Sequence, residues 1–334
     1  MKDSFERNIE YMRVSITDRC NLRCKYCMPE DLPDIPHAEI LRYEEILRIC
    51  AAAVRLGIVN FRVTGGEPLV RLGCVDFLRS VKEVPGVEKV MITTNGVTLE
   101  RYIKDFYDIG IASVNISLDT LDREVYRQLT GTDALDKVLA GIHAALEAGL
   151  RVKINCVTLR GVNESAYLPL VEMAAQHTVD VRFIESMPIG AGIGFAPVSG
   201  SEVIEMIGRA YPGMTETSEK RGFGPAVYYT SPGMKGSVGF INAISHAFCD
   251  NCNRVRLTSD GLLKTCLYYG QTVDLKPILR QGMEEGALCE AIRDAVAKKQ
   301  ERHYFYTDIQ EMERTQEAGR TQEAERRKMS QIGG

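Results

Sequence analysis

Ten cysteines occur in the 334 residues, and six of them fall into two short sets. Cys20, Cys24 and Cys27 stand in "DRCNLRCKYC" at the spacing C-x3-C-x2-C, with Tyr26 directly before the third; Cys249, Cys252 and Cys266 stand in "HAFCDNCNRVRLTSDGLLKTC". Thiolates hold iron-sulfur clusters, and a cubane normally takes four ligands, so three thiolates leave one iron open. An open position is what distinguishes a catalytic metal site from a closed structural one. Residue types alone leave a second chemistry standing for each set. The first could be a zinc loop that borrows a fourth ligand, and His246, three residues before Cys249, could complete a Cys3His zinc site. A zinc-binding protein without catalysis is therefore a rival reading.

The remaining cysteines point elsewhere. Cys50 lies on a helical apolar face and Cys156 within a strand, both suited to packing, while Cys74 and Cys289 match no ligand pattern. A chain of this length buries roughly three quarters of its unfolded surface and needs no disulfides. The opening "MKDSFERNIEYMRV" is charged and resembles no secretory signal, and no apolar run of about 18 residues appears. A cytoplasmic protein with no membrane partner is expected, and clustered thiols in a reducing compartment are ligands or catalysts. The net charge of -4 gives no reason to expect nucleic acid. Any anionic ligand must be met by local arginines and lysines.

Positioning such residues is the task of the elements around them. Between residues 12 and 187 the β-branched runs "MRVSIT", "NFRVT", "KVMITT", "ASVNISLD", "VKINCVTL" and "VDVRFIESM" alternate with amphipathic stretches, the βα rhythm of a parallel sheet. In "YEEILRICAAAVRLG", Ile46, Ile49, Cys50, Ala53 and Val54 recur at helical spacing and Gly57 is the stop signal. The expected fold is α/β, a partial (β/α) TIM-type barrel, with an open doubly wound sheet as the alternative. After Met187 the Gly- and Pro-rich "PIGAGIGFAPVSG" breaks the rhythm, and two short strands, "AVYYT" and "SVGFI", lead into the second cysteine set. The expected organisation is a barrel over 1–190, a C-terminal extension over 191–305 that carries the second cysteine set and a helix from Leu275 to Gln300, and a polar tail over 306–334. That tail repeats "RTQEA" and reads as a solvated helix or flexible linker before its final Gly333 and Gly334.

The first cysteine set after a first strand, followed by "TGGEP", "NISLD" and "RFIESM", resembles the radical S-adenosylmethionine (SAM) superfamily. Gly65 and Gly66 fit it physically: glycines let backbone approach a ligand, and they sit at a strand's C-terminal end, where barrels build sites. Adding "YMRVSITDRCN", "FRVTGGEPL", "ITTNG", "FCDNCNRVRLTSDGLLKTCL" and the final "GG", nearly the whole chain is similar to the GTP 3',8-cyclase branch, which serves the first step of molybdenum cofactor biosynthesis. The resemblance implies two [4Fe-4S] clusters, one on Cys20, Cys24 and Cys27 and one on Cys249, Cys252 and Cys266. SAM occupies the open iron of the first, and the guanine of GTP that of the second. It further implies SAM contacts at Tyr26, Gly66, Ser117 and Met187, and GTP contacts at Arg13, Arg62, Thr93, Lys153, Arg254, Val255 and Arg256. Reduction of SAM would yield a radical that takes hydrogen from the ribose 3' carbon, which then joins carbon 8 of the guanine. Gly333 and Gly334 would enter the site as a tail. An electron donor protein, a downstream cyclic pyranopterin monophosphate synthase and a homodimer are the partners to expect. Another radical SAM enzyme with an auxiliary cluster, such as a peptide maturase, is the second rival; such enzymes usually carry more cysteines. The duplicated "TQEA" has no counterpart in the family.

Overall fold

The computed structural model describes residues 1–28, 34–219, 221–282, 284–305, 325 and 327–332. Six strands alternate with helices through the first part of the chain: β1 (Tyr11–Ser15), β2 (Asn60–Thr64), β3 (Lys89–Thr94), β4 (Ser113–Ser117), β5 (Val152–Thr158) and β6 (Asp180–Glu185). They are parallel and lie side by side in chain order. A doubly wound sheet reverses its order at a switch point. This sheet never does, so its crossovers share one hand and its helices one face, which is the partial barrel of the expectation.

Alternation along each strand separates two environments. Met12, Val14, Phe61, Val63, Val90, Ile92, Val114, Ile116, Val181 and Phe183 point outward and bury themselves against Ile46, Ile49, Leu78, Phe106, Val138 and Leu170 of the helices. The helix Tyr43–Arg55 forms because its apolar residues recur at this spacing; Arg42 and Glu45 close its start as a capping box, and Gly57, at a φ of 87°, lets the chain leave. The opposite set, including Arg13, Arg62, Thr93, Asn115, Lys153 and Arg182, lines the concave face. Cys50, Cys74 and Cys156 are buried with the outer core.

The segment after residue 190 builds no sheet of its own. β7 (Thr215–Thr217), β8 (Val227–Thr230) and β9 (Ser237–Ile241) form an antiparallel ribbon whose β9 joins β6 in parallel. β10 (Arg254–Leu257) adds in parallel to β1 at the other edge, followed by antiparallel β11 (Leu262–Lys264) and β12 (Val273–Asp274). The full order is β12-β11-β10-β1-β2-β3-β4-β5-β6-β9-β8-β7. One consequence is electrostatic: the register sets Arg13 beside both Arg256 and Arg62.

Two local expectations change. The helix foreseen from Leu275 to Gln300 is two, Lys276–Arg280 and Glu285–Ala297, because Gly282 at a φ of 70° turns the chain between them. Within the tail, Glu325, Lys328, Ser330 and Ile332 are buried, not solvated. Composition suggested water, but Glu325 pairs with Lys264 and Ile332 packs on an apolar cluster, and these contacts replace it. Among the described residues no helix is long and apolar enough to cross a membrane.

Candidate active site

One cavity on the concave face is walled by all six clustered cysteines, together with Tyr26, Gly66, Ser117, Met187, Arg13, Thr93, Arg254 and Arg256. The two sets approach it from different ends. Cys20, Cys24 and Cys27 lie in the loop after β1, whereas Cys249 and Cys252 come just before β10, the parallel neighbour of β1. Cys266 comes after β11, which runs back beside β10. Tyr11 pairs with Arg254 at one end of β1, and Ser15 stands four residues along. At about 3.3 Å per residue the sets are separated by roughly 13 Å of strand, too far to share one cluster.

The first set sits in a scaffold of buried carboxylates. Glu67 accepts from Leu69 N, Thr94 Oγ1 and Asn95 N at 3.0, 2.8 and 2.6 Å, and its own N–H donates to Arg19 O at 2.8 Å. This ties the turn after β2 to the residues directly ahead of Cys20; burial raises the Glu67 carboxyl to about 7. The Nδ2 of Asn95 reaches Cys20 Sγ at 3.7 Å. Asp119, raised by burial to about 6, accepts from Tyr26 OH at 2.6 Å and Val157 N at 2.8 Å, fixing the aromatic that precedes Cys27.

The thiols themselves are far from ordinary. Burial, then mutual repulsion and the charge of Asp119, pushes Cys24 well up and Cys27 to about 12. Deprotonating three such thiols together requires a cationic partner, so the donor set fits an iron-sulfur cluster. Gly66 completes the cradle: a Cβ there would lie 2.6 Å from Asp18 O and closer still to Arg19 O.

In the second set burial raises Cys249, but Cys252 meets a different field. Burial pushes Cys252 up, but the charges of Lys299 and Arg254 outweigh it, and the thiol falls below its usual pKa. His246 lies exposed against Ser245 and is absent from the cavity wall, which removes support from the Cys3His zinc reading. Among the described residues no three His, Cys, Asp or Glu side chains are placed to hold a single metal ion.

Between the sets the wall is cationic. Burial, then the neighbouring Arg256, lowers Arg13 well below an ordinary guanidinium, while burial and Arg254 lower Arg256 to about 10. The Arg254 Nε, Thr93 Oγ1 and Asn155 Oδ1 atoms are buried without hydrogen-bond partners among the described residues, and all three residues line the cavity. Buried polar groups left this way are suited to a ligand. Such a wall favours a polyanion with further hydrogen-bonding groups.

Three expected contacts lie off the wall. Arg62 donates to Tyr11 OH, Lys153 is paired with Asp180 at 3.3 Å, and the Val255 side chain packs in the outer core. Lys153 and Arg62 lie beneath the loop from Arg221 to Pro225: Lys153 Nζ donates to Arg221 O, and Phe223 stacks on Tyr11 at 6.4 Å. Gly333 and Gly334 lie outside the described residues. The structure adds Glu67, Asn95 and Asp119, which sit inside the quoted motifs, and Lys299, which reads in sequence as an ordinary lysine after a helix.

Residues 14–174 match the model of the radical SAM superfamily, and residues 179–305 that of Molybdenum Cofactor Synthesis C. The GTP 3',8-cyclase of Pelotomaculum thermopropionicum is 41% identical over 339 residues, covering all of both chains. That of Heliobacterium modesticaldum is 44% identical over 315 residues, 91% of this chain and 94% of its own. The chain belongs to the GTP 3',8-cyclase family. Its cysteine sets and basic wall thus occupy one cavity in a member of that family. The crystal structure of Streptococcus suis SuiB bound to S-adenosylmethionine is similar at a TM-score of 0.62, with 15% identity over 91% of this chain and 74% of that one, a likeness of fold.

Proposed function

We propose that this chain converts GTP to 3',8-cyclo-7,8-dihydro-GTP, the first step of molybdenum cofactor biosynthesis, with one [4Fe-4S] cluster on each cysteine set. The observation that carries this reading is the single cavity joining both three-thiol sets across a cationic wall. Cys20, Cys24 and Cys27 would hold the cluster that binds SAM, and Cys249, Cys252 and Cys266 the one that meets guanine. When bound, these groups supply the radical chemistry that removes a hydrogen atom from the ribose 3' carbon.

The chain's own residues orient and enclose. Tyr26, locked by Asp119, and the backbone at Gly66 would position SAM with Ser117 and Met187. Arg13, Arg254 and Arg256, with Thr93, would hold GTP, the triphosphate extending toward Arg62 and Lys153 once the 221–225 loop yields. Val255 contributes through its backbone, since its side chain faces the outer core. Gly333 and Gly334 would complete the site as the end of the tail. We also assign a cytoplasmic location, an electron donor protein, a downstream cyclic pyranopterin monophosphate synthase, and three units at 1–190, 191–305 and 306–334; the homodimer is to be tested by mass measurement in solution.

Replacing Arg254 or Arg256 by methionine, which retains the apolar stem, should cost about 1–3 kcal/mol of GTP affinity, as expected for lost charge-assisted hydrogen bonds. SAM affinity should not change. Calorimetric titration checks both, and equal weakening of GTP and SAM would overturn the assignment.

Lys153 gives a pH signature. Burial, then the charge of Arg182, lowers it from 10.5 to about 7. A lysine depressed in this way costs folding stability below about pH 7, and the cost is recovered as pH rises toward 10.5. A triphosphate beside it favours the charged form, so GTP binding near pH 8 should take up protons and weaken as pH rises. Titrations in buffers of different ionisation enthalpy should report uptake that Lys153→Met abolishes. Buffer-independent heats in the parent enzyme would contradict the contact. Incubation with SAM, a reductant and GTP, followed by identification of the cyclised product, tests the function itself.

A further inference from the structure

Lys264 is fully buried on β11, two residues before Cys266, and its charge must be answered there. Its Nζ donates to Tyr269 O and to the carboxylate of Glu325, 61 residues further along the chain. Glu325 is itself buried; burial raises its carboxyl, but the Lys264 charge outweighs this and holds it low. Its N–H donates to Tyr268 O at 2.6 Å, and its Oε1 accepts from Arg327 N at 2.9 Å. Glu325 is thus anchored in the fold through one paired charge.

Residues 327–332 lie against both ends of the site. Arg327 O and Lys328 Cα pass so near Gly190 that a Cβ there would lie 3.3 and 3.4 Å from them. Met329 and Ser330 join the cavity wall, and the Ser330 N–H faces the Cys27 thiol. Ile332 is buried with Ile189, Tyr268, Tyr269 and Phe305, and Met329 packs on the same cluster, which also touches Met187 and Cys266. The segment therefore spans from the first cysteine set to the second.

We infer that the Lys264–Glu325 ion pair is a positioning device for the cyclisation, docking residues 327–332 as a wall between the two cysteine sets. This rests on the reading of the site as a GTP cyclase. The pair touches no reacting atom. Its role is to keep the wall in place while the substrate radical exists, so that hydrogen removal leads to cyclised product and not to reduction of that radical by an electron from the reductant and a proton from solvent. Both partners act as a unit, because a fully buried lysine without its carboxylate draws water to the very strand that leads into Cys266.

The test uses the full chain, reconstituted anaerobically, with Glu325→Gln. Two quantities are read: hydrogen exchange of residues 327–332, and cyclised GTP formed per SAM cleaved. Exchange in 327–332 should become faster while the sheet's protection and the iron content stay at parent values. The yield per SAM should fall about tenfold, with methionine still formed. Glu325→Asp, which keeps the charge, should recover part of the yield. Unchanged exchange would show that the pair does not tether the segment, and faster exchange with an unchanged yield would show that the tethering serves no positioning role; either overturns the inference. Absence of cyclised product from the parent enzyme would instead refute the cyclase reading on which it rests.

Discussion

Replacing Cys249, Cys252 and Cys266 together by alanine will remove about half of the iron and abolish GTP cyclisation, yet leave reductive cleavage of SAM close to the parent rate. Placement is the reason. The two sets flank opposite ends of the β1 and β10 pair, roughly 13 Å of strand apart, and each is polarised by its own neighbours. The first answers to Glu67, Asn95 and Asp119; the second to Lys299 and Arg254. The complementary change at Cys20, Cys24 and Cys27 should abolish both SAM cleavage and cyclisation while sparing the other half of the iron. Iron analysis with methionine quantitation reads all of these, and loss of all iron from the first variant would show that the sites are not independent.

Gly66→Ala should cost about 100-fold in turnover, the scale on which a reactant displaced by about 1 Å is penalised. The added methyl would meet Asp18 O and Arg19 O, and Arg19 O is held by a hydrogen bond from the same turn. Gly66 N and Glu67 N donate to Thr17 O and Arg19 O, each at 2.8 Å, and the Glu67 carboxylate is itself pinned on β3 by Thr94 and Asn95. The loop must shift as a block, carrying Cys20 with it. Overpacking of this kind also costs about 1–3 kcal/mol of stability. Turnover and a melting scan check the two effects, and a fully active Gly66→Ala enzyme would show that the turn after β2 does not set the geometry of the first cysteine set.

The parts of the fold and site that could be read in the sequence are those whose cause is local. A βα rhythm needs only period-2 and period-3.6 runs, so β1 to β6 and the helix Tyr43–Arg55 were legible. The first cysteine set was legible because spacing within one loop is itself the signal, and the second was legible through its close pair, Cys249 and Cys252. Features that depend on register were not. Nothing in "RVR" and "MRV" says that Arg256 will lie beside Arg13, since that requires β10 to add in parallel at the β1 edge. The same long-range pairing hides Lys299 and the partnership of Lys264 with Glu325, whose residues look like solvated charges until the chain brings them together. The 221–225 loop over Lys153 is invisible for the same reason: its Gly and Pro residues announce a turn without saying what it covers.

The cyclase reading stands or falls on the fate of one hydrogen. The anaerobically reconstituted enzyme is given SAM, a reductant and GTP deuterated at the ribose 3' carbon, and the nucleoside products are separated and weighed by mass spectrometry. The expected products are a cyclised GTP that has lost the deuterium and a 5'-deoxyadenosine that has gained it. SAM cleaved to unlabelled 5'-deoxyadenosine, with the deuterated GTP recovered intact, would contradict that reading.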